Sequence, residues 1–326
     1  MLEHGGQLHA AARRYAIPLE NWLDLSTGIN PNGWPVPALS PTAWARLPEI
    51  NDGLELAAQA YYATPHLLPC AGSQAIIQAL PRLRSLCRVG FPNIGYAEHA
   101  YAWLQAGHEV VPLPYNNIDI KQLDVLIVIN HNNPTGQCYS TDILLDWQQE
   151  LSRRGGWLIV DEAFMDVTPN NSLMPYCSLP GLIVLRSLGK FFGLAGARVG
   201  FAAAELNLLN LLAEYLGPWT LSGPSREIAK QALMDKNWQL RTCVELEQAS
   251  LRLYNLLSQH GLTPNGGTAL FQWLRTSKAE IIQDTLARQG ILVRLFKKPQ
   301  SLRFGLPRND EWDRLDRGLC TCKPIH

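Results

Sequence analysis

Four short runs in the first two hundred residues hold side chains that could do chemistry together. In RSLGKFFGLAGARVGF (186–201), Lys190 sits among Phe191, Phe192 and Leu194, while Gly189, Gly193 and Gly196 allow close backbone approach. An amine sunk among apolar side chains gives up its proton more readily and becomes a competent nucleophile. In IVDEAF (159–164), Asp161 closes an apolar run and is expected to be buried. A buried carboxylate is costly unless a cation faces it. In NHNNPTG (130–136), Asn133 precedes Pro134, which biases it to extended backbone and fixes its amide as a donor. In AGSQAII (71–77), Gly72 permits a tight turn, and Ser73 and Gln74 offer a hydroxyl and N–H groups at a helix start, which suits a phosphate. Taken singly, each run also has a plain reading: a strand–helix turn, a loop turn, an exposed lysine.

These residues need elements that bring them together. Short apolar runs read as strands at 67–70, 86–91, 108–113, 124–130, 157–161 and 182–187, with helical stretches at 53–64, 97–106 and 140–154 and another beginning at Ser73. Continuous Val/Ile/Leu runs without alternation are strands covered on both faces, hence a mostly parallel α/β sheet. Each chemical run follows such a strand, and ligands of open parallel sheets collect at the strands' carboxyl ends. After residue 205 the texture changes to helices at 205–216, 224–259 and 277–289, with short strands at 269–274, 291–295 and 301–305. The expected organisation is an N-terminal arm at 1–35, a large domain at 36–220 and a smaller α+β domain at 221–326.

Composition narrows the class. The chain has 326 residues, with 28 Lys+Arg against 28 Asp+Glu, 47% hydrophobic and 17% charged residues. Zero net charge argues against nucleic-acid binding, which uses a basic field, and the apolar content argues against disorder. No apolar run approaches the roughly 18 residues of a spanning helix, and the opening MLEHGGQLHAAARRYAIP lacks a signal-peptide pattern. A cytoplasmic enzyme is expected, with no membrane or nucleic-acid partner. The seven cysteines are scattered and odd in number, as befits reduced thiols. Cys320, Cys322 and His326 have an unusual ligand spacing, and a frayed tail is expected there rather than a metal site.

In this order, AGSQ, NPTG, DEA and SxxK with an arginine eight residues on resemble the fold-type I pyridoxal-phosphate enzymes of the aspartate aminotransferase superfamily. Asn133 to Asp161 is 28 residues and Asp161 to Lys190 is 29, spacings similar to that superfamily's. The resemblance, over about residues 20–310, implies a large cofactor domain, a smaller C-terminal domain, a homodimer and pyridoxal 5'-phosphate. Lys190 would carry the cofactor covalently, Asp161 would pair with its ring nitrogen, and Asn133 would donate to its phenolic oxygen. Gly72, Ser73, Gln74, Ser187 and Arg198 would hold its phosphate; Tyr96 would stack on the ring, with His99 near Asp161. Two positions depart from the pattern. Phe164 stands where the family usually has a tyrosine donor, and Leu47 where related members have the tyrosine that reaches the partner subunit's cofactor phosphate.

Residues 288–308 carry Arg288, Arg294, Lys297, Lys298, Arg303 and Arg308 and no acid. Arg303, in SLRFGLP, resembles the arginine that binds an α-carboxylate, for which its planar fork is suited. Arg294 is a candidate for a distal anion. EHGGQ (3–7) and LDLSTGINPNG (23–33) resemble the opening of the L-threonine O-3-phosphate decarboxylases of cobalamin biosynthesis, where such an arm helps close the site. His4, Gly5 and Asn30 are the substrate-side candidates there. The implied reaction is decarboxylation of L-threonine O-3-phosphate to (R)-1-amino-2-propanol phosphate. The alternative is an aminotransferase on a phosphorylated amino acid such as histidinol phosphate. A cofactor-free binding protein on this fold is disfavoured by the intact Lys190, Asp161 and Asn133.

Overall fold

The computed structural model describes residues 3–115 and 118–322. Twelve strands in these residues form two sheets: β1 (Leu23–Leu25), β2 (Leu68–Cys70), β3 (Arg88–Pro92), β4 (Glu109–Leu113), β5 (Val125–Ile129), β6 (Trp157–Asp161), β7 (Leu182–Ser187), β8 (Gly200–Ala203), β9 (Gly266–Thr268), β10 (Phe271–Arg275), β11 (Ile291–Lys297) and β12 (Gln300–Gly305). The chain divides into two compact units. One comprises Gly33–Asn133 and Gln137–Gln239, the other Met1–Asn32, Pro134–Gly136 and Leu240–His326.

The first unit holds a seven-stranded sheet in the order β2-β8-β7-β6-β5-β3-β4, parallel except for β8. Every residue of VLIVI in β5 is buried, as are the apolar residues of β7, because helices cover both faces of these runs. The core joins Ile127, Ile159 and Leu185 of the sheet to Ile76, Ile77, Trp103 and Leu212 of the helices. Each fully buried side chain of this kind contributes about 1.5–3 kcal/mol. β8 was not legible as a strand, since GFAA is short and small. Gly200 pairs with Cys70 on one side and Ser187 on the other. A Cβ there would lie 2.5 Å from Ser73 N and 2.9 Å from Arg186 O, so only glycine lets these three segments meet.

The second unit holds a five-stranded sheet in the order β1-β11-β12-β10-β9, antiparallel except for the β1–β11 pair. The expected N-terminal arm contributes a strand to this sheet: Leu23 and Leu25 pair with Ile291 and Val293 and are buried. The second boundary falls at 239/240, where the sequence suggested 220/221. Helix Gly223–Met234 stays with the first unit because Arg226 is held bidentately by Asp52 at 2.6 and 2.7 Å and by Glu55 at 2.8 Å. The expected helix at 224–259 is broken at Asp235, whose carboxylate accepts Trp238 N at 3.1 Å and so starts a new helix, Lys236–Gln259.

The fraying expected at Cys320 and Cys322 is not found. Cys320 ends helix Trp312–Cys320, and Cys322 is buried with Sγ 3.9 Å from Gly318 O; His326 lies outside the described residues. Cys320 instead approaches His260 and Asp316, a pair already hydrogen-bonded at 2.6 Å. All seven cysteines are outside disulfides.

Candidate active site

β2, β3, β5, β6 and β7 run in one direction, so the segments leaving their carboxyl ends emerge along one edge of the sheet. In this way the fold gathers Gly72, Ser73, Gln74, Tyr96, His99, Asn133, Asp161, Ser187 and Lys190. Register fixes the middle of the row: Asp161 pairs with Ile129 of β5 and Leu185 of β7.

Asp161 is buried, and the partner that its burial demands is His99, whose Nε2 lies 2.9 Å from Oδ2. Oδ1 accepts the Ala163 N–H at 3.0 Å, so one carboxylate oxygen is anchored by backbone and the other by imidazole. His99 is held in turn against Phe91, stacked at 6.2 Å, with the Tyr96 ring edge-on at 6.2 Å. The Tyr96 hydroxyl donates to Gln74 Oε1 at 3.2 Å, and Gln74 Nε2 donates to Glu98 Oε2 at 3.0 Å. Gln74 thus spends its side chain on orienting Tyr96. Burial first, then the Glu98 and Asp161 charges, push the Tyr96 phenol up to about 12, so it stays protonated at neutral pH.

Gly72 heads helix Ser73–Ala79 at φ +71°, and a Cβ there would stand 2.5 Å from Arg198 Nη2. The absence of a side chain lets the guanidinium lie against the turn. Arg198 itself takes left-handed backbone, φ 54°, and its Nη1 donates to Ala195 O at 3.3 Å. Ser187 Oγ accepts the Gly189 N–H at 3.2 Å, fixing the loop that carries Lys190. Lys190 is half-buried, with its Nζ 5.6 Å from the centroid of the Phe164 ring. Phe191 and Phe192, expected around the lysine, pack on Trp238 at 5.4 and 5.6 Å. Asn133 is half-buried, in the loop after β5.

The second unit gathers the substrate-side candidates separately. Arg294 and Arg303 are directly opposite on β11 and β12. Arg303 is buried beside the Phe271 ring, 5.1 Å away, and its Nη2 donates to Ser26 O at 2.8 Å. Arg294 Nη2 donates to Glu3 O at 2.6 Å. Burial, then the Arg294 charge, lower Arg303 to about 10. The Asp24 charge offsets part of this for Arg303, as the Glu3 charge does for Arg294, yet opposed like charges remain unfavourable and favour a further anion beside the pair. Beside Arg294 lies a cavity of about 450 Å³ lined by Glu3, His4, Gly5, Arg14 and Lys297 among others. Arg288 points elsewhere, to Asp284 at 2.7 Å. Asn30 is buried and accepts the Asn32 N–H at 2.9 Å.

The family model of class I and II aminotransferases matches residues 47–315. The chain belongs to the class I and II aminotransferase family. Within this family's relatives, a threonine-phosphate decarboxylase of Pseudomonas aeruginosa is 55% identical, over 100% of both chains. One from Sinorhizobium sp. is 40% identical over 95% of each. Among solved structures, a histidinol-phosphate aminotransferase of Sinorhizobium meliloti, in complex with pyridoxal-5'-phosphate, superposes with a TM-score of 0.81 at 20% identity, covering 99% of this chain and 95% of that one.

Against the family pattern, Phe164 is buried and offers a ring where a hydroxyl is usual, while Leu47 is 67% exposed. A buried ion network linking β7 to the segment after β6 was missed from sequence. Arg186, one residue before Ser187, donates from Nη1 to Glu162 Oε2 at 2.9 Å and from Nη2 to Asp166 Oδ1 at 2.6 Å, and covers the Tyr62 ring at 4.6 Å. Glu162 also accepts Ser172 Oγ at 2.5 Å and Leu173 N at 2.7 Å; Tyr61 donates to Asp166 at 3.1 Å. A charged residue inside the apolar run LIVLRS was the available signal. Glu98 had none, because only the fold brings it to Gln74.

Proposed function

We propose that this aminotransferase-family protein is a pyridoxal-phosphate enzyme that decarboxylates L-threonine O-3-phosphate to (R)-1-amino-2-propanol phosphate, a reaction of cobalamin biosynthesis. The observation that carries the reading is full-length kinship, 55% identical, to a threonine-phosphate decarboxylase, joined to a complete lysine, aspartate and asparagine set. The residues fit the cofactor. Asp161 is a buried carboxylate already oriented by His99, and the bare Cα of Gly72 leaves the Arg198 guanidinium room beside Ser73.

When bound, pyridoxal phosphate supplies an aldehyde for the substrate's amine and a conjugated ring that accepts the electron pair of a bond broken at Cα. Lys190 is the amine that would hold it, and the same amine can return a proton to Cα once the carboxylate has left. Asp161 would keep the ring nitrogen protonated, Asn133 would donate to the phenolic oxygen, and Tyr96 would pack on the ring. Ser73, Ser187, Arg198 and the amides at Gly72 and Gln74 would take the phosphate. In the second unit, Arg303 would bind the substrate carboxylate and Arg294 its phosphate, with His4, Gly5 and Asn30 contributing on the arm side. The opposed arginine pair supports a substrate with two anionic groups.

A homodimer fits the exposed apolar side chains Trp44, Leu47 and Ile50. Among the described residues, no helix is long and apolar enough to cross a membrane; a cytoplasmic location is part of this proposal. Steady-state kinetics test the substrate: threonine phosphate should be consumed far faster than threonine or histidinol phosphate. Preference for histidinol phosphate with a keto acid would overturn the proposal in favour of an aminotransferase.

A further inference from the structure

We propose that Ser26 is a positioning residue that couples the seating of the N-terminal residues to the aim of Arg303. The inference rests on the carboxylate-binding role proposed for Arg303. Ser26 follows β1 directly and is buried. All its polar groups are committed. Its N–H and its hydroxyl both donate to Asp24 Oδ1, at 2.9 and 2.6 Å. The hydroxyl oxygen accepts the Gly6 N–H at 2.7 Å, and the carbonyl accepts Arg303 Nη2 at 2.8 Å.

Asp24 sets the arrangement. With the hydroxyl proton spent on the carboxylate, the oxygen's lone pairs are left for Gly6. One buried residue thus holds the start of the chain by its hydroxyl and the guanidinium by its carbonyl. The two attachments are also joined sterically. A methyl on Gly5 would stand 2.3 Å from Ser26 O and 2.9 Å from its carbonyl carbon, so the chain at Gly5 lies directly on the group that Arg303 uses. The opposite arginine repeats the pattern, with Arg294 donating to Glu3 O.

Both guanidiniums therefore lean on a surface that includes residues 3–6. A guanidinium anchored to a carbonyl has less rotameric freedom left to lose when it takes up a carboxylate, which favours bidentate binding. Lifting the N-terminal residues frees the Ser26 carbonyl to rotate and blurs that aim. An interaction lost equally from the ground and transition states raises KM and leaves kcat alone.

The test uses cofactor-loaded, full-length Ser26→Ala, Gly5→Ala and the double variant, with threonine phosphate as substrate. Steady-state kinetics are paired with amide hydrogen exchange of the peptide containing Gly6. Each single variant should raise KM about five- to tenfold, the equivalent of one or two net hydrogen bonds, with kcat within about twofold. Gly6 should exchange faster in each. The double variant should be no worse than the poorer single one, because both act through one attachment. Additive losses, or faster Gly6 exchange with a wild-type KM, would overturn the coupling. Arg303→Ala separates the two levels. A wild-type KM there refutes the carboxylate role of Arg303, whereas a raised KM there with additive Ser26 and Gly5 effects refutes only the coupling.

Discussion

Replacing Arg186 with methionine tests whether the buried ion network supports β6, which ends in Asp161, and β7, which leads into the Lys190 loop. Arg186 is 2% exposed, Glu162 0% and Asp166 3%, so the substitution removes a cation from between two carboxylates that water cannot reach. Removing one partner of a buried pair costs about 3–5 kcal/mol, because the remaining charge is uncompensated. Loss of the contact over the Tyr62 ring adds about 1 kcal/mol. Against a typical total of about 5–15 kcal/mol, the variant should remain folded but be conspicuously weakened.

The deficit should depend on pH in a definite direction. Burial already lifts Glu162 above the ordinary carboxylate range despite Arg186, Leu173 and Ser172. Burial opposes the Arg186 charge, yet Asp166, Tyr62 and Glu162 hold it above arginine's usual value. Without the arginine, Glu162 rises further above its unfolded value. A carboxyl raised in the folded state costs nothing below its unfolded pKa of about 4, and its cost grows as pH climbs towards the folded pKa. Urea unfolding followed by tryptophan fluorescence should therefore show the loss relative to wild type near its full size at pH 8 and markedly smaller at pH 5. A loss below 1 kcal/mol, or one of equal size at both pH values, would refute the reasoning.

Three further substitutions address the cradle. Gly72→Ala places a methyl 2.5 Å from Arg198 Nη2 at a φ of +71°, and should weaken cofactor binding at least about tenfold in an absorbance titration. Tyr96→Phe removes a neutral hydrogen bond to Gln74 worth about 1 kcal/mol, so cofactor affinity should fall less than tenfold. With the phenol pushed up to about 12, the wild-type rate profile should show no step from Tyr96 below about pH 10. Lys190→Ala should abolish the near-visible band of the covalently held cofactor; a retained, borohydride-reducible band would remove Lys190 from its role.

The parallel strands were legible because VLIVI, WLIVD and LIVLRS are continuous apolar runs, a pattern made only where both faces are covered. Asp161 was legible for an energetic reason: a carboxylate at the end of such a run needs polar partners, and His99, expected near it, is one of them. β1 and β8 were not, because three or four residues carry little periodicity and their pairing partners are distant in sequence. The motif at Gln74 offered N–H groups at a helix start, whereas the use of its side chain to hold Tyr96 and Glu98 was not legible, since only the packing of two helices brings these groups together. Ser26 reads as an ordinary turn residue, and only β1 beside β11 reveals what its carbonyl and hydroxyl hold.

The central claim concerns which bond at Cα is broken. Threonine phosphate labelled with carbon-14 in its carboxyl group should, with the cofactor-loaded protein, release one labelled CO2 for each amino-alcohol phosphate formed, with no keto acid. Label retained in a keto-acid product, with the amino group passed to the cofactor, would contradict the account.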